Sequence, residues 1–233
     1  MGKFAPAIIL YVLSGLIYIV SSLLRYDSIV FVSKPIFATS ILFHYWNEAK
    51  EYFNSFNFVI LLIYFIGDIF NLFEGYFKYV LILNIIVYAM LSYVVVKKIL
   101  LFRNKAVDGI NLVYILLSVV FVLCLVYISV FLVFDKDFEF YYYIVLYSLI
   151  LSGLSIATTV LYSFSNEKGL VYLMLATYCY LISDVFYIIY YYAYDLILFR
   201  MLNMTCNVLS YYFIISYFLY CTNSIEEVDN LNA

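Results

Sequence analysis

The sequence predicts an all-α polytopic membrane protein with eight transmembrane helices, and three observations carry that prediction. The 233 residues are 68% hydrophobic and 12% charged, with a mean hydropathy of +1.05. A soluble domain is about half apolar and a quarter charged, so the excess apolar surface must face lipid. The apolar stretches run to about 20 residues, the length that crosses a hydrocarbon core of about 30 Å at about 1.5 Å per helical residue. Polar clusters interrupt them at fairly even intervals and leave no room for a soluble domain. Residues 1–222 are read as one transmembrane domain, and the polar stretch 223–233 as a mobile tail.

The first span, Phe4–Leu24, follows a single Lys3 and is not followed by a small-residue cleavage site. It is therefore expected as a retained helix rather than a signal peptide. The second, Ser28–Trp46, ends on the interfacial aromatics Tyr45 and Trp46. Pro35 inside it removes the usual donor to the Phe31 carbonyl and favours a kink. The third, Asn57–Phe73, is short, and the fourth is Phe77–Val96. Leu112–Phe134 and Phe140–Tyr162 follow, the latter opening on Tyr141–Tyr143 at headgroup depth. Gly169–Tyr192 closes on Tyr190–Tyr192, and Leu196–Cys221 is the eighth. Tight connections make sequential helices antiparallel neighbours.

Counting Lys and Arg by loop gives Lys3, Lys50, Lys97, Lys98, Arg103, Lys105 and Lys168 on the side of the N-terminus. The other side has Arg25, Lys78, Lys136 and Arg200. The positive-inside rule then expects both termini in the cytoplasm. A net charge of −3 without a basic tract excludes nucleic acid as the expected partner. His44 stands alone, and Cys124, Cys179, Cys206 and Cys221 lie scattered in apolar sequence without metal-ligand spacing. No metal, cofactor or disulfide framework is expected. No GxSxG elbow, HExxH helix or Walker loop is present. The many Tyr and Phe residues are read as packing and lipid contact.

Three charges lie inside apolar spans: Lys34, Asp68 and Asp184. Each costs about 2.5–3.5 kcal/mol at mid-membrane when unpaired, so they are expected to face each other or water. Their distances from the span ends put all three about 10–15 Å below the same outer end of the bundle. Asn71, Asn84, Asn203, Asn207 and Ser210 reach that layer, and Tyr64 and Tyr180 lie one turn below their aspartates on the same face. Pointed at lipid, such groups are penalised, so a shared inward pocket is expected. The segments YFIGDIFNL and YLISDVFYI put the aspartates 116 positions and four helices apart, on helices running in the same direction. That suits two parallel four-helix halves.

Lys34–Pro35 in the second span, Gly67–Asp68 with Phe70 in the third, Ser183–Asp184 in the seventh and Ser210–Tyr211–Tyr212 in the eighth form an ordered set. With that set the chain resembles the YhhN family of lysoplasmalogenase-like membrane proteins along essentially its whole length. The resemblance implies eight transmembrane helices and cleavage of the vinyl ether bond of lysoplasmalogens to a fatty aldehyde and a glycerophospho head group. The implied partners are a lysophospholipid substrate and membrane lipids. Vinyl ether hydrolysis needs an acid and a partner carboxylate, and Asp68 and Asp184 are the expected catalytic pair. Lys34, Tyr64, Asn71, Asn84, Tyr180, Asn203, Asn207, Tyr211 and Tyr212 are the expected substrate-binding residues. Two departures point to a divergent or inactive member, or to another lipid. The family's Tyr-Tyr-x-Ala-Gln reads YYFII here, with Ile214 and Ile215, and the fourth-span segment NIIVYAMLSY lacks the histidine many members carry.

Two other readings compete. A small transporter or lipid-binding protein uses ionisable groups in a midline pocket in the same way. A purely structural Lys–Asp pair tying helices together is the third, and it leaves one acid unexplained.

Overall fold

The structure is a computed structural model that describes residues 6–49, 53–73, 75–101, 109–128, 138–165 and 167–232, with α8 side chains described as far as Thr222. Among these residues there are eight α-helices and no strand. They are α1 (Pro6–Leu23), α2 (Asp27–Ala49), α3 (Ser55–Phe70), α4 (Phe77–Leu101), α5 (Gly109–Tyr127), α6 (Tyr141–Ser165), α7 (Lys168–Ile188) and α8 (Ile197–Asn232). A π-turn, Ile189–Ala193, continues α7.

Six of the described helices are long and apolar enough to cross a membrane: α1, α2, α4, α6, α7 with its π-turn, and α8 as far as Thr222. The other two are shorter apolar helices. The 16 residues of α3 span about 24 Å, less than a hydrocarbon core of about 30 Å. The expected third span ran to Phe73, but the helix stops at Phe70 and Asn71 caps it. Most of the sequence-predicted end of the fifth span, beyond residue 128, lies outside the described residues. The stretch 223–232, read as a tail, continues α8 as helix, because it has no Gly or Pro to stop it. α2 runs as helix on both sides of Pro35, and Thr39 Oγ1 donates to the Pro35 carbonyl at 2.7 Å.

Small and hydroxyl residues share the interior with a core of Tyr, Phe, Leu and Ile, while the outer faces are also apolar. α1 buries Tyr11, Ser14, Gly15, Tyr18, Ser21 and Ser22, while Leu13 and Leu16 are 54% and 55% exposed. α6 buries Ser148, Ser152, Ser155, Thr158, Thr159 and Ser163. Small and hydroxyl residues at helix contacts let backbones approach closely, as packing between apolar helices favours. Most of these α6 hydroxyls close a bond on their own helix or on α7, as in Ser155 Oγ to the Leu151 carbonyl at 2.9 Å and Thr158 Oγ1 with Thr177 Oγ1 at 3.0 Å.

The closest-packed neighbours are α7 with α8, α1 with α2, α4 with α6, and α3 with α4. α2 also packs on α3 and α8, and α6 on α7. α5 lies at the edge, against α6 and marginally α7. At one end of the bundle the turn after α1 takes a left-handed residue, Arg25 at φ 59°, and the turn after α3 takes Gly75 at φ 85°. Arg25 reaches across to Asp195, just before α8. That hydrogen bond raises the guanidinium further above its ordinary pKa.

The α7–α8 interface has little slack. A Cβ on Gly169 would sit 2.2–2.8 Å from the Tyr220 ring, so Gly169→Val must displace an aromatic ring. The expected outcome is a loss of about 1–3 kcal/mol, read as a lower thermal midpoint in detergent. Tyr220→Ala in the same chain should recover most of the loss.

Candidate functional site

The three intramembrane charges meet. Lys34 Nζ on α2 lies 2.7 Å from Asp68 Oδ1 on α3, and both side chains are almost wholly buried. The second oxygen, Oδ2, accepts from the Tyr211 hydroxyl of α8 at 2.8 Å. Asp68 therefore has a cation on one oxygen and a phenol on the other.

Asp184 on α7 is held differently. Tyr147 of α6 and Tyr88 of α4, the latter at 3.3 Å, both donate to its Oδ2. No described residue donates to Oδ1, and no described cation pairs with this carboxylate.

Both aspartates line one cavity of about 90 Å³, to which every described helix except α5 contributes. That is well below the usual small-molecule site of about 300–1,000 Å³. It holds a few waters or one reacting bond rather than a whole lipid. Asn71 and Phe77 line it too, so it extends toward the turn between α3 and α4. There the rings of Phe77, Phe138, Phe140 and Tyr192 cluster at 5.9–6.2 Å.

Tyrosines fill the space between the carboxylates. The Tyr64 ring lies 5.0 Å from Tyr180 and 4.6 Å from Tyr211, and Tyr88 lies 5.4 Å from Tyr180 and 5.6 Å from Tyr147. The Tyr64 hydroxyl meets Ser210 Oγ at 3.5 Å and accepts from Asn207 Nδ2 at 3.4 Å. Asn207 Oδ1 is buried with no hydrogen-bond partner among the described residues. A buried acceptor left open on a cavity wall suits a donor from water or ligand.

The residues preceding the two aspartates set the helix spacing. A Cβ on Gly67 would come 3.3 Å from Asn84 Oδ1 of α4. Ser183 Oγ donates to the Asn203 carbonyl of α8 at 3.1 Å, and Asn203 Nδ2 returns a bond to the Ser183 carbonyl at 2.9 Å.

Of the residues expected from sequence, Lys34, Tyr64, Asp68, Asn71, Asn84, Asp184, Asn203 and Asn207 line the cavity. Tyr180 and Tyr211 stand behind it, as packing for Tyr64 and as donor to Asp68. Tyr212 is 39% exposed on the outside of α8. It lies one residue past Tyr211, and a step of about 100° turns it off the buried face. The sequence reading missed Tyr88 and Tyr147, whose hydroxyls bind Asp184, and Tyr18 and Tyr187, which line the cavity. The one signal for Tyr147 was its place on a helical face with Leu151, Leu154 and Thr158, all buried. The segment NIIVYAMLSY supplies Tyr88 as a donor, and Ile214 and Ile215 are fully packed core. Among the described residues no cluster of His, Cys, Asp or Glu is suited to a metal ion.

No family model, curated protein or solved structure matches this chain.

The ion pair yields a sharp expectation. Lys34→Met leaves the Asp68 carboxylate buried without its cation and should cost about 3–5 kcal/mol. Lys34→Met with Asp68→Asn removes both charges, and its thermal midpoint should return most of the way to the parent value.

Proposed function

We propose that this protein is a multi-pass membrane hydrolase of the lysoplasmalogenase type, which cleaves the vinyl ether bond of a lysoplasmalogen to a fatty aldehyde and a glycerophospho head group. We infer with it that all eight helices belong to the membrane domain, that α1–α4 and α5–α8 are parallel halves, and that both termini are cytoplasmic. The YhhN-like set of Lys34, Asp68, Asp184 and Tyr211 supports the reading.

One observation carries it: two carboxyl groups open onto one small cavity with opposite surroundings. Asp68 has the Lys34 ammonium on one oxygen and the Tyr211 phenol on the other. Asp184 lines the same cavity with no direct ion pair and no described donor on Oδ1. Vinyl ether cleavage needs that asymmetry. Asp184 delivers a proton to the enol carbon farther from the ether oxygen, which leaves an oxocarbenium ion at the neighbouring carbon. The Asp68 carboxylate offsets that positive charge, as preorganised electrostatics do at developing charge. Water adds to the cation and gives its proton to the Asp184 carboxylate, restoring the acid. The hemiacetal then collapses, with a proton passing to the departing glycerol oxygen. The cavity of about 90 Å³ accommodates the vinyl ether and one water, with head group and chain toward the mouth.

A small transporter is the second reading. It is favoured by the crossed helix pairing, α2 on α8 and α4 on α6, which parallel halves produce.

Aldehyde release from purified protein with lysoplasmalogens of several head groups separates the two. Asp184→Asn is expected to lose at least about a hundredfold in rate, the lower end of what general acid catalysis contributes. Tyr147→Phe is expected to lose less, since Tyr88 still binds Oδ2, and thermal melts check that each variant is folded. No aldehyde from the parent protein across that panel, or release unchanged in Asp184→Asn, would sink the hydrolase. Proton-driven uptake into liposomes that is lost in the same variants would favour the transporter.

A further inference from the structure

The end of the bundle opposite the carboxylates holds a second cavity, where α3 begins, α4 ends and α8 passes beside them. Its volume is about 540 Å³, inside the usual small-molecule range of about 300–1,000 Å³. We propose that it binds the headgroup of an anionic phospholipid in the leaflet at that end.

Charge is the first argument. Lys97 and Lys98 line the cavity, no described carboxylate does, and neither lysine makes a salt bridge among the described residues. Lys98 Nζ is aimed inward, 5.0 Å over the Tyr217 ring and 3.3 Å from Cys221 Sγ. Glu167, a described carboxylate at this end, accepts from Ser165 Oγ at 2.6 Å and lies outside the lining.

The second argument is the start of α3, a helix of 16 residues. Its N-terminus presents the positive end of the helix dipole. Asn54 on the cavity wall uses Oδ1 to cap the Phe56 and Asn57 amides at 2.9 and 3.4 Å. What its side chain has left to offer is two amide hydrogens.

Tyr217 is the third and independent argument. It is 2% exposed and lines the cavity, yet its hydroxyl has no oxygen or nitrogen hydrogen-bond partner among the described residues. The Cys221 thiol beside it is a weak hydrogen-bond group. A buried phenol without an oxygen or nitrogen partner leaves a donor suited to a phosphate oxygen. Two ammonium groups, a helix N-terminus and a phenol O–H form a donor set for a phosphate and contain no group that needs a cation.

The rim selects a lipid over a free solute. Tyr93 and Leu101 on the rim are 63% and 77% exposed. Apolar and aromatic side chains beside lysines at a helix end match the bilayer interface, where the acyl chains of a bound lipid lie along the protein.

The test uses the full chain in nanodiscs of phosphatidylcholine with a titrated fraction of phosphatidylglycerol, read by native mass spectrometry and thermal melting. Phosphatidylglycerol is expected to be retained and to raise the midpoint, and phosphatidylcholine alone is not. The double variant Lys97→Gln with Lys98→Gln should lose at least tenfold in apparent affinity, and Tyr217→Phe severalfold. Lys168→Gln, which removes an exposed charge at the same end but outside the cavity, should bind like the parent. Equal loss in Lys168→Gln, or no loss in the double variant, would mean general surface attraction and overturn the proposal. A midpoint rise reproduced by inorganic phosphate alone would also overturn it, by identifying a solute site. None of these substitutions touches a residue lining the carboxylate cavity, so failure here leaves the hydrolase reading untouched.

Discussion

The 2.7 Å contact between Lys34 Nζ and Asp68 Oδ1 sits among helices whose outer faces are leucine, isoleucine and phenylalanine. Neither group has a tolerable place on that outer face, so α2 and α3 must turn toward each other at this level. Tyr211 on the other oxygen of Asp68 adds α8 to the same point. Three helices are thus oriented by one carboxylate. The tight interface between α7 and α8, with Ser183 and Asn203 bonded in both directions, carries α7 and Asp184 to the same cavity.

With α1–α4 and α5–α8 taken as two halves, the aspartates have related surroundings. Asp68, on the third helix of its half, is bound from the second helix by Lys34 and from the fourth helix of the other half by Tyr211. Asp184, on the third helix of its own half, is bound from the second by Tyr147 and from the other half's fourth by Tyr88. The frame is shared and one ligand differs: an ammonium in the first half, a phenol in the second. That single difference gives the two carboxylates unlike surroundings in one cavity, an ion pair at Asp68 and phenols alone at Asp184.

The sequence made the charged part of this site legible and hid the neutral part. Lys34, Asp68 and Asp184 stand out because lipid penalises them, and counting residues from the span ends was enough to place them in one layer. Helix positions followed from hydropathy within a few residues, except where local polar chemistry decides the end. Asn71 ends α3 before Phe73, and the polar residues after Thr222 leave α8 helical because nothing there interrupts a helix. Tyr88 and Tyr147 were illegible for another reason. In a chain that is 22% aromatic, a tyrosine holding a carboxylate is spelled like one that faces lipid. Tyr212, the neighbour of Tyr211 in sequence, turns to the exposed side of the helix. The second cavity was hidden too, because Lys97 and Lys98 count as loop charge until Tyr217 and the start of α3 are brought beside them.

YFIGDIFNL and YLISDVFYI each set a small residue before an acid, and the small residue answers to a different neighbour from the acid. Successive residues on a helix diverge by about 100°, so the two positions look toward different helices. Gly67 faces α4, where Asn84 Oδ1 lies within 3.3 Å of the place a Cβ would take. Ser183 faces α8 and is bonded to Asn203 there. Both small residues let the third helix of a half close on the fourth helix of the same half. The aspartate one step on then faces the second helix of its own half and the fourth of the other. A bulky residue at 67 or 183 would hold that helix pair apart and rotate the carboxylate away from its donors. The pairing of small residue with acid is therefore a packing requirement for placing two carboxylates in one cavity, met by glycine against an amide in one half and by a hydrogen-bonded serine in the other.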